Sequence, residues 1–121
     1  MFETCDESFI RKVVECLRLQ VFLENDTVVQ EGEPGEEMFF VRQGIMEVTT
    51  PGGGFSSLGF LKAGSFFGEI AILASHTRRL NSVISLTKSE LYSFARDDFV
   101  AVLIQFPENV FLAERALSWP R

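Results

Sequence analysis

Histidine is almost missing from this chain: a single residue, His76, among 121. An imidazole-rich metal centre needs several such ligands at close spacing. A general base needs a nucleophile and an orienting acid beside it. Neither pattern surrounds His76, which reads as loop filler. Cysteine is scarce too. Cys5 and Cys16 lie in or beside one predicted helix, make no zinc pattern and have no histidine partner for nucleophilic catalysis. They fit a reduced, cytosolic compartment. Long apolar runs are absent as well: the longest, Phe99 to Ile104, is far too short to cross a bilayer, and the opening residues are not expected to act as a secretory leader. Basic charge is in short supply, with 11 Lys and Arg against 17 Asp and Glu and a net charge of −6. That balance argues against nucleic acid or anionic lipid as the main partner. An anionic ligand must then be held by a local basic spot, and His76-Thr77-Arg78-Arg79 is the densest one. With no catalytic constellation and no metal pattern, a non-enzyme is expected.

What is present is a core. A hydrophobic fraction of 46% against 23% charged fits a globular chain, and the length suits one domain spanning residues 1–121. Thirteen phenylalanines against one tyrosine and one tryptophan predict an aromatic-rich interior. Residues 7–19 read as an amphipathic helix carrying Phe9, Ile10, Val13, Val14 and Leu17, with Asp6 as N-cap. From 21 to 95 the period shortens. Val21-Phe22-Leu23, Thr27 to Glu31, Met38 to Arg42, Ile45 to Thr49, Ser57 to Leu61, Asn81 to Leu86 and Leu91 to Phe94 read as strands. Turn signals such as Glu33-Pro34-Gly35 and Pro51-Gly52-Gly53-Gly54 separate them. Gly44 sits where a tight hairpin needs positive φ. Many short strands at this density predict an antiparallel sandwich or barrel. Residues 97–119 return to helical periodicity: Asp97-Asp98 open a helix with Phe99, Val100, Leu103 and Phe106 on its apolar stripe. Pro107 interrupts it, and a last helix carries Val110, Phe111, Ala113, Leu117 and Trp119.

Residues 66–83 hold the most chemistry. Gly68 lets a ligand approach the backbone. Ile70 to Leu73 reads as one helical turn whose leading N–H groups and dipole favour a phosphate. Arg79 adds a bidentate contact to the same anion, and Glu69 suits a ribose hydroxyl. Arg78 is expected to face solvent or support the loop.

Phe67-Gly68-Glu69-Ile70-Ala71-Ile72-Leu73 followed by Arg78-Arg79-Leu80-Asn81-Ser82-Val83 resembles the phosphate-binding cassette of cyclic nucleotide-binding domains. Gly32-Glu33-Pro34-Gly35-Glu36-Glu37-Met38-Phe39-Phe40-Val41 with Gly44 is similar to the turn-and-strand pattern upstream of that cassette. The Leu17 to Phe22 lead-in is most like the cytoplasmic domains of cyclic nucleotide-regulated cation channels. The resemblance implies a mainly-β α+β fold: an antiparallel β-roll, or jelly-roll-like barrel, with an N-terminal helix, a short cassette helix and two C-terminal helices acting as hinge and lid. It implies cAMP or cGMP as ligand, with Phe67, Gly68, Glu69, Ile70, Ala71, Arg79, Leu80, Asn81 and Ser82 as contacts, and attachment to a tetrameric plasma-membrane channel. Channel relatives often carry threonine then alanine where this chain has Leu80 and Asn81. The lost hydroxyl argues for cAMP over cGMP. The same departure motivates an alternative, a degenerate domain that binds no nucleotide and serves as an interaction module. A cupin-type β-barrel enzyme is disfavoured by the lone histidine. With so little chain after Trp119, the lid is expected to be incomplete and binding correspondingly weaker.

Overall fold

Alternating apolar residues flanked by turn formers give short strands that each have one face to bury, and eight of them stack here as two sheets. The computed structural model describes residues 7–50 and 57–105. In chain order the elements are α1 (Glu7–Cys16), β1 (Arg18–Phe22), β2 (Thr27–Val29), β3 (Glu37–Gln43), β4 (Met46–Thr49), β5 (Ser57–Leu61), β6 (Phe66–Phe67), α2 (Ile70–Leu73), β7 (Val83–Ser85), β8 (Ser89–Ala95) and α3 (Arg96–Gln105). One sheet runs β1-β8-β3-β6 and the other β2-β7-β4-β5, every pairing antiparallel. Two four-stranded sheets joined in this order make a jelly roll. Cys5, the expected N-cap at Asp6, the expected glycine tip at 52–54, the expected hinge at Phe106-Pro107 and the expected last helix lie outside the described residues.

The side-chain alternation of β3 and β8 divides the interior. Phe39, Val41 and Leu91 point between the sheets and meet Met46 and Val83 of the opposite sheet. Met38 and Phe94, on the other face, meet Phe9 and Val13 of α1, Phe99 and Val102 of α3, and Ile72 of α2. The three helices among the described residues therefore sit on the outer face of the β1-β8-β3-β6 sheet. Phenylalanine fills both layers: Phe39 stacks on Phe67 at 5.1 Å and Phe94 meets Phe99 edge-on at 5.8 Å, geometries that favour aromatic pairs beyond their area.

Three expectations need correction. The first helix stops at Cys16 rather than 19 because Arg18–Phe22 pairs with β8, Arg18 opposite Ser93 and Phe22 opposite Ser89. Sheet pairing here outweighs helical periodicity. Val14 and Val100, assigned to apolar stripes, are 58% and 37% exposed; the buried pairs are Phe9 with Val13 and Phe99 with Val102. Gly44 does not close a hairpin. β3 and β4 belong to different sheets, and the Gly44-Ile45 step carries the chain across from one to the other. Positive φ is still needed there, at +109°, and a Cβ at Gly44 would lie 2.6 Å from Cβ of Ser89 and 2.7 Å from its Cα. Ser89 cannot give way: it is fully buried and its Oγ donates to Thr87 O at 3.0 Å.

Gly44→Ala is expected to destabilise the fold by about 2–4 kcal/mol, combining backbone strain with overpacking. Urea denaturation measures it, and a loss below ~0.5 kcal/mol would contradict the crowding at Ser89.

Candidate functional site

Residues 77–82 form a strap with no regular strand pairing apart from a bridge between Pro34 and Arg78. Main-chain bonds lash it to the Gly32–Gly35 turn: Gly35 N–H donates to Thr77 O at 2.9 Å, Arg79 N–H to Glu33 O at 2.8 Å, and Gly32 N–H to Arg79 O at 2.9 Å. Arg78 stays exposed and its Nη1 donates to Gly32 O at 2.8 Å, so it supports the loop. Arg78 also borders the cavity described below, while the Arg79 side chain runs inward and is half-buried.

The side chain of Arg79 runs between two glycines. A Cβ on Gly35 would lie 3.2 Å from Arg79 Nε, and a Cβ on Gly68 would lie 2.7 Å from Nη1 and 3.1 Å from Glu37 O. Gly68 also has φ +80°, a region that L side chains disfavour. Nη2 donates to Glu37 O at 2.9 Å, and the guanidinium carbon stands 6.0 Å from the Phe39 ring centroid, within cation–π range. Burial pulls the Arg79 pKa below its ordinary value, and the Glu37 charge opposes that pull. The group stays charged at any working pH. Among the described residues the ion pairs are those of Arg11, Lys12 and Arg42, so no described carboxylate pairs with the half-buried Arg79.

That guanidinium lies on the wall of a cavity of about 230 Å³. Phe67, Gly68, Glu69, Ile70, Ala71, Leu80 and Asn81 line the same cavity. Two of these, Ile70 and Leu80, are 48% and 68% exposed and mark its mouth. Ser82 does not line it. The Ser82 hydroxyl is buried under the strap, accepting from Glu31 N–H at 2.9 Å and from Gln30 Nε2 at 3.3 Å. Asn81 lines the cavity, yet its Nδ2 is committed to Thr49 O at 2.9 Å.

Glu69 is 2% exposed. It occupies the N-cap position of α2, but its side chain makes no capping bond, so local helix capping does not account for this buried acid. The turn it opens is tighter than a regular α-helix start. Ala71 N–H donates to Gly68 O and Ile72 N–H to Glu69 O, both at 3.1 Å. The Ala71 amide, which sequence reasoning left open to an anion, is thus engaged internally.

Sequence reasoning missed several wall residues. Val48 and Leu61, on β4 and β5, belong to the cavity lining and were legible only as inward-facing strand positions. Gly35 was read as a turn residue; its packing against Arg79 depends on a contact across more than forty positions. The Glu37 carbonyl carries no sequence signal at all. Among the described residues no group of three or more His, Cys, Asp or Glu is placed to hold a metal ion, and no helix is long and apolar enough to cross a membrane.

Known proteins match both the sequence and the fold. The family model of the cyclic nucleotide-binding domain matches residues 19–106. The human potassium/sodium hyperpolarization-activated cyclic nucleotide-gated channel 3 is 40% identical over 107 residues, which cover 88% of this chain and 13% of the channel. Human cyclic nucleotide-gated channel beta-1 is 36% identical over 111 residues, covering 90% of this chain and 9% of that one. The chain therefore spans only a small part of the curated relatives it matches. In fold it is similar to the catabolite activator protein of Thermus thermophilus, with a TM-score of 0.75 at 21% identity over 95% of this chain and 57% of that protein. The matched segment takes in both sheets, the strap and the cavity wall, and the chain belongs to the cyclic nucleotide-binding domain family.

Proposed function

We propose that the cavity binds a cyclic purine nucleotide, with cAMP preferred over cGMP, and that occupancy moves the C-terminal helices and thereby regulates a larger protein of cation-channel type. The observation that carries this reading is Arg79. A cation drawn partly out of water, with no described carboxylate in ion-pair contact and only the Glu37 charge to offset its burial, is costly, and a cyclic phosphate supplies a direct charge-assisted contact. Gly68 and Glu69 stand at the same wall, suited to the ribose hydroxyl. Apolar Val48, Leu61 and Leu80 offer flat contact to a base. Leu80 brings no hydroxyl for the guanine amino group, which supports the cAMP preference.

The route from ligand to helix runs through α2. Ala71 lines the cavity, while Ile72 packs with Phe99 and Val102 of α3. A ligand that shifts the 70–73 turn must therefore disturb α3 packing, and it shifts the equilibrium only by its difference in affinity for the two arrangements. No residue in this scheme acts as nucleophile, acid or base, so the domain is a sensor and not a catalyst.

Calorimetric titration with cAMP and with cGMP tests the reading. Saturable binding with the lower Kd for cAMP is expected; no heat and no thermal shift at millimolar nucleotide would leave the inert interaction module as the better description. Arg79→Ala is expected to cost about 2–5 kcal/mol of affinity with the fold retained by circular dichroism. Undiminished binding by that variant would remove Arg79 from the site. For the movement, Cys5 and Cys16 are replaced by serine and spin labels are placed at Ile104→Cys on α3 and Lys62→Cys beyond β5, both exposed positions. Saturating cAMP should shift the inter-label distance, and an unchanged distribution would refute the coupling.

A further inference from the structure

From the geometry we infer that Asn81 is a positioning residue: its carboxamide fastens the strap to β4 and so fixes where Arg79 presents its charge. The inference rests on the nucleotide-binding reading above and gives Asn81 a task other than touching the ligand.

The strap has two edges. Along one, three main-chain bonds and the Arg78 side chain tie residues 77–79 to the Gly32–Gly35 turn. Along the other, attachment converges on one residue, Thr49 at the end of β4. Thr49 N–H donates to Ser82 O at 3.0 Å and its hydroxyl reaches the same oxygen at 3.4 Å. Asn81 Nδ2 completes the clasp by donating to Thr49 O at 2.9 Å. A carbonyl oxygen only accepts, so the amide group has one orientation open to it: NH₂ towards Thr49.

The position of this bond matters. Val48 and Asn81 both line the cavity, so a bond from Asn81 to the residue after Val48 spans one of its walls. Beyond Val48 opposite Val83, the β4–β7 ladder has no further register pair; the clasp extends that attachment to the strap. Without it, the segment after Arg79 is held by the Ser82 carbonyl and hydroxyl alone. The Arg79 backbone, pinned only on the Gly32–Gly35 side, is then free to pivot. A guanidinium contact to phosphate is directional, so small pivots cost affinity while the sheets stay intact.

A double-mutant cycle tests the assignment. Asn81→Ala and Arg79→Lys are made singly and together, and Kd for cAMP is measured by calorimetry alongside thermal melting. Asn81→Ala is expected to weaken binding about three- to tenfold, the range of one neutral hydrogen bond. In the Arg79→Lys background, where the planar fork is already gone, the same substitution should cost less than about twofold, because coupled residues are not additive. Asn81→Leu, of similar shape but uncharged and lacking the donor, should behave like Asn81→Ala. Equal losses in both backgrounds, or wild-type affinity in Asn81→Ala, would overturn the positioning role while leaving nucleotide binding in place. Failure of the unmodified chain to bind cAMP or cGMP at all would instead overturn the functional reading, and this inference with it.

Discussion

One wall of the cavity is arranged around the Arg79 guanidinium, brought partly out of water and held in place by absences. Gly35 and Gly68 leave the channel through which the Arg79 side chain passes, and a methyl group on either would crowd it. The Glu37 carbonyl and the Phe39 ring supply the remaining contacts. Each of these belongs to β3, to the turn before it or to the bend before α2, so the two main features of the cassette are coupled to the sheet rather than merely set beside it. Neutral dipoles and a ring face orient the cation without cancelling its charge. A carboxylate in their place would have balanced it.

The short helix α2 joins that arrangement to the second core layer. Consecutive residues face opposite ways: Ala71 looks into the cavity and Ile72 into the cluster shared with α1 and α3. Interiors pack at near-crystalline density and transmit displacement instead of absorbing it. A four-residue turn with one face on the cavity and the other among helices is the short path that the proposed movement would take.

Much of the fold was legible because its signals are local. Short β-rich runs between turn formers located the strands, and Asp97 with Asp98 marked the start of α3 to within a residue. Where sequence reasoning failed, the deciding contact was distant. Helical periodicity continued through Leu17 to Leu19, but pairing with Ser93 and Tyr92 claimed that segment for β1. The positive φ of Gly44 was foreseeable; the reason for it, a sheet-to-sheet crossing above Ser89, was not. At the site, the spacing of Gly68, Glu69 and Arg79 pointed to one cavity. Asn81 and Ser82 were expected as ligand contacts from the cassette resemblance, and their side chains have structural partners as well. Their hydrogen bonds run to Thr49 and Glu31, partners that spacing cannot reveal.

Consecutive strands lying in opposite sheets also order the events of synthesis. β1 finds its neighbour only in β8, and β2 only in β7, so both remain unpaired until Val83 and then Ser89 have left the ribosome. Closing such distant pairs is entropically slow. Only β4 with β5 and β3 with β6 can meet earlier. The strap that carries Arg79 is made immediately before these two closing strands. The nascent chain thus acquires the Arg79 strap and the seam that shuts the roll in one short stretch of translation, and no half-built barrel carries a finished cavity wall.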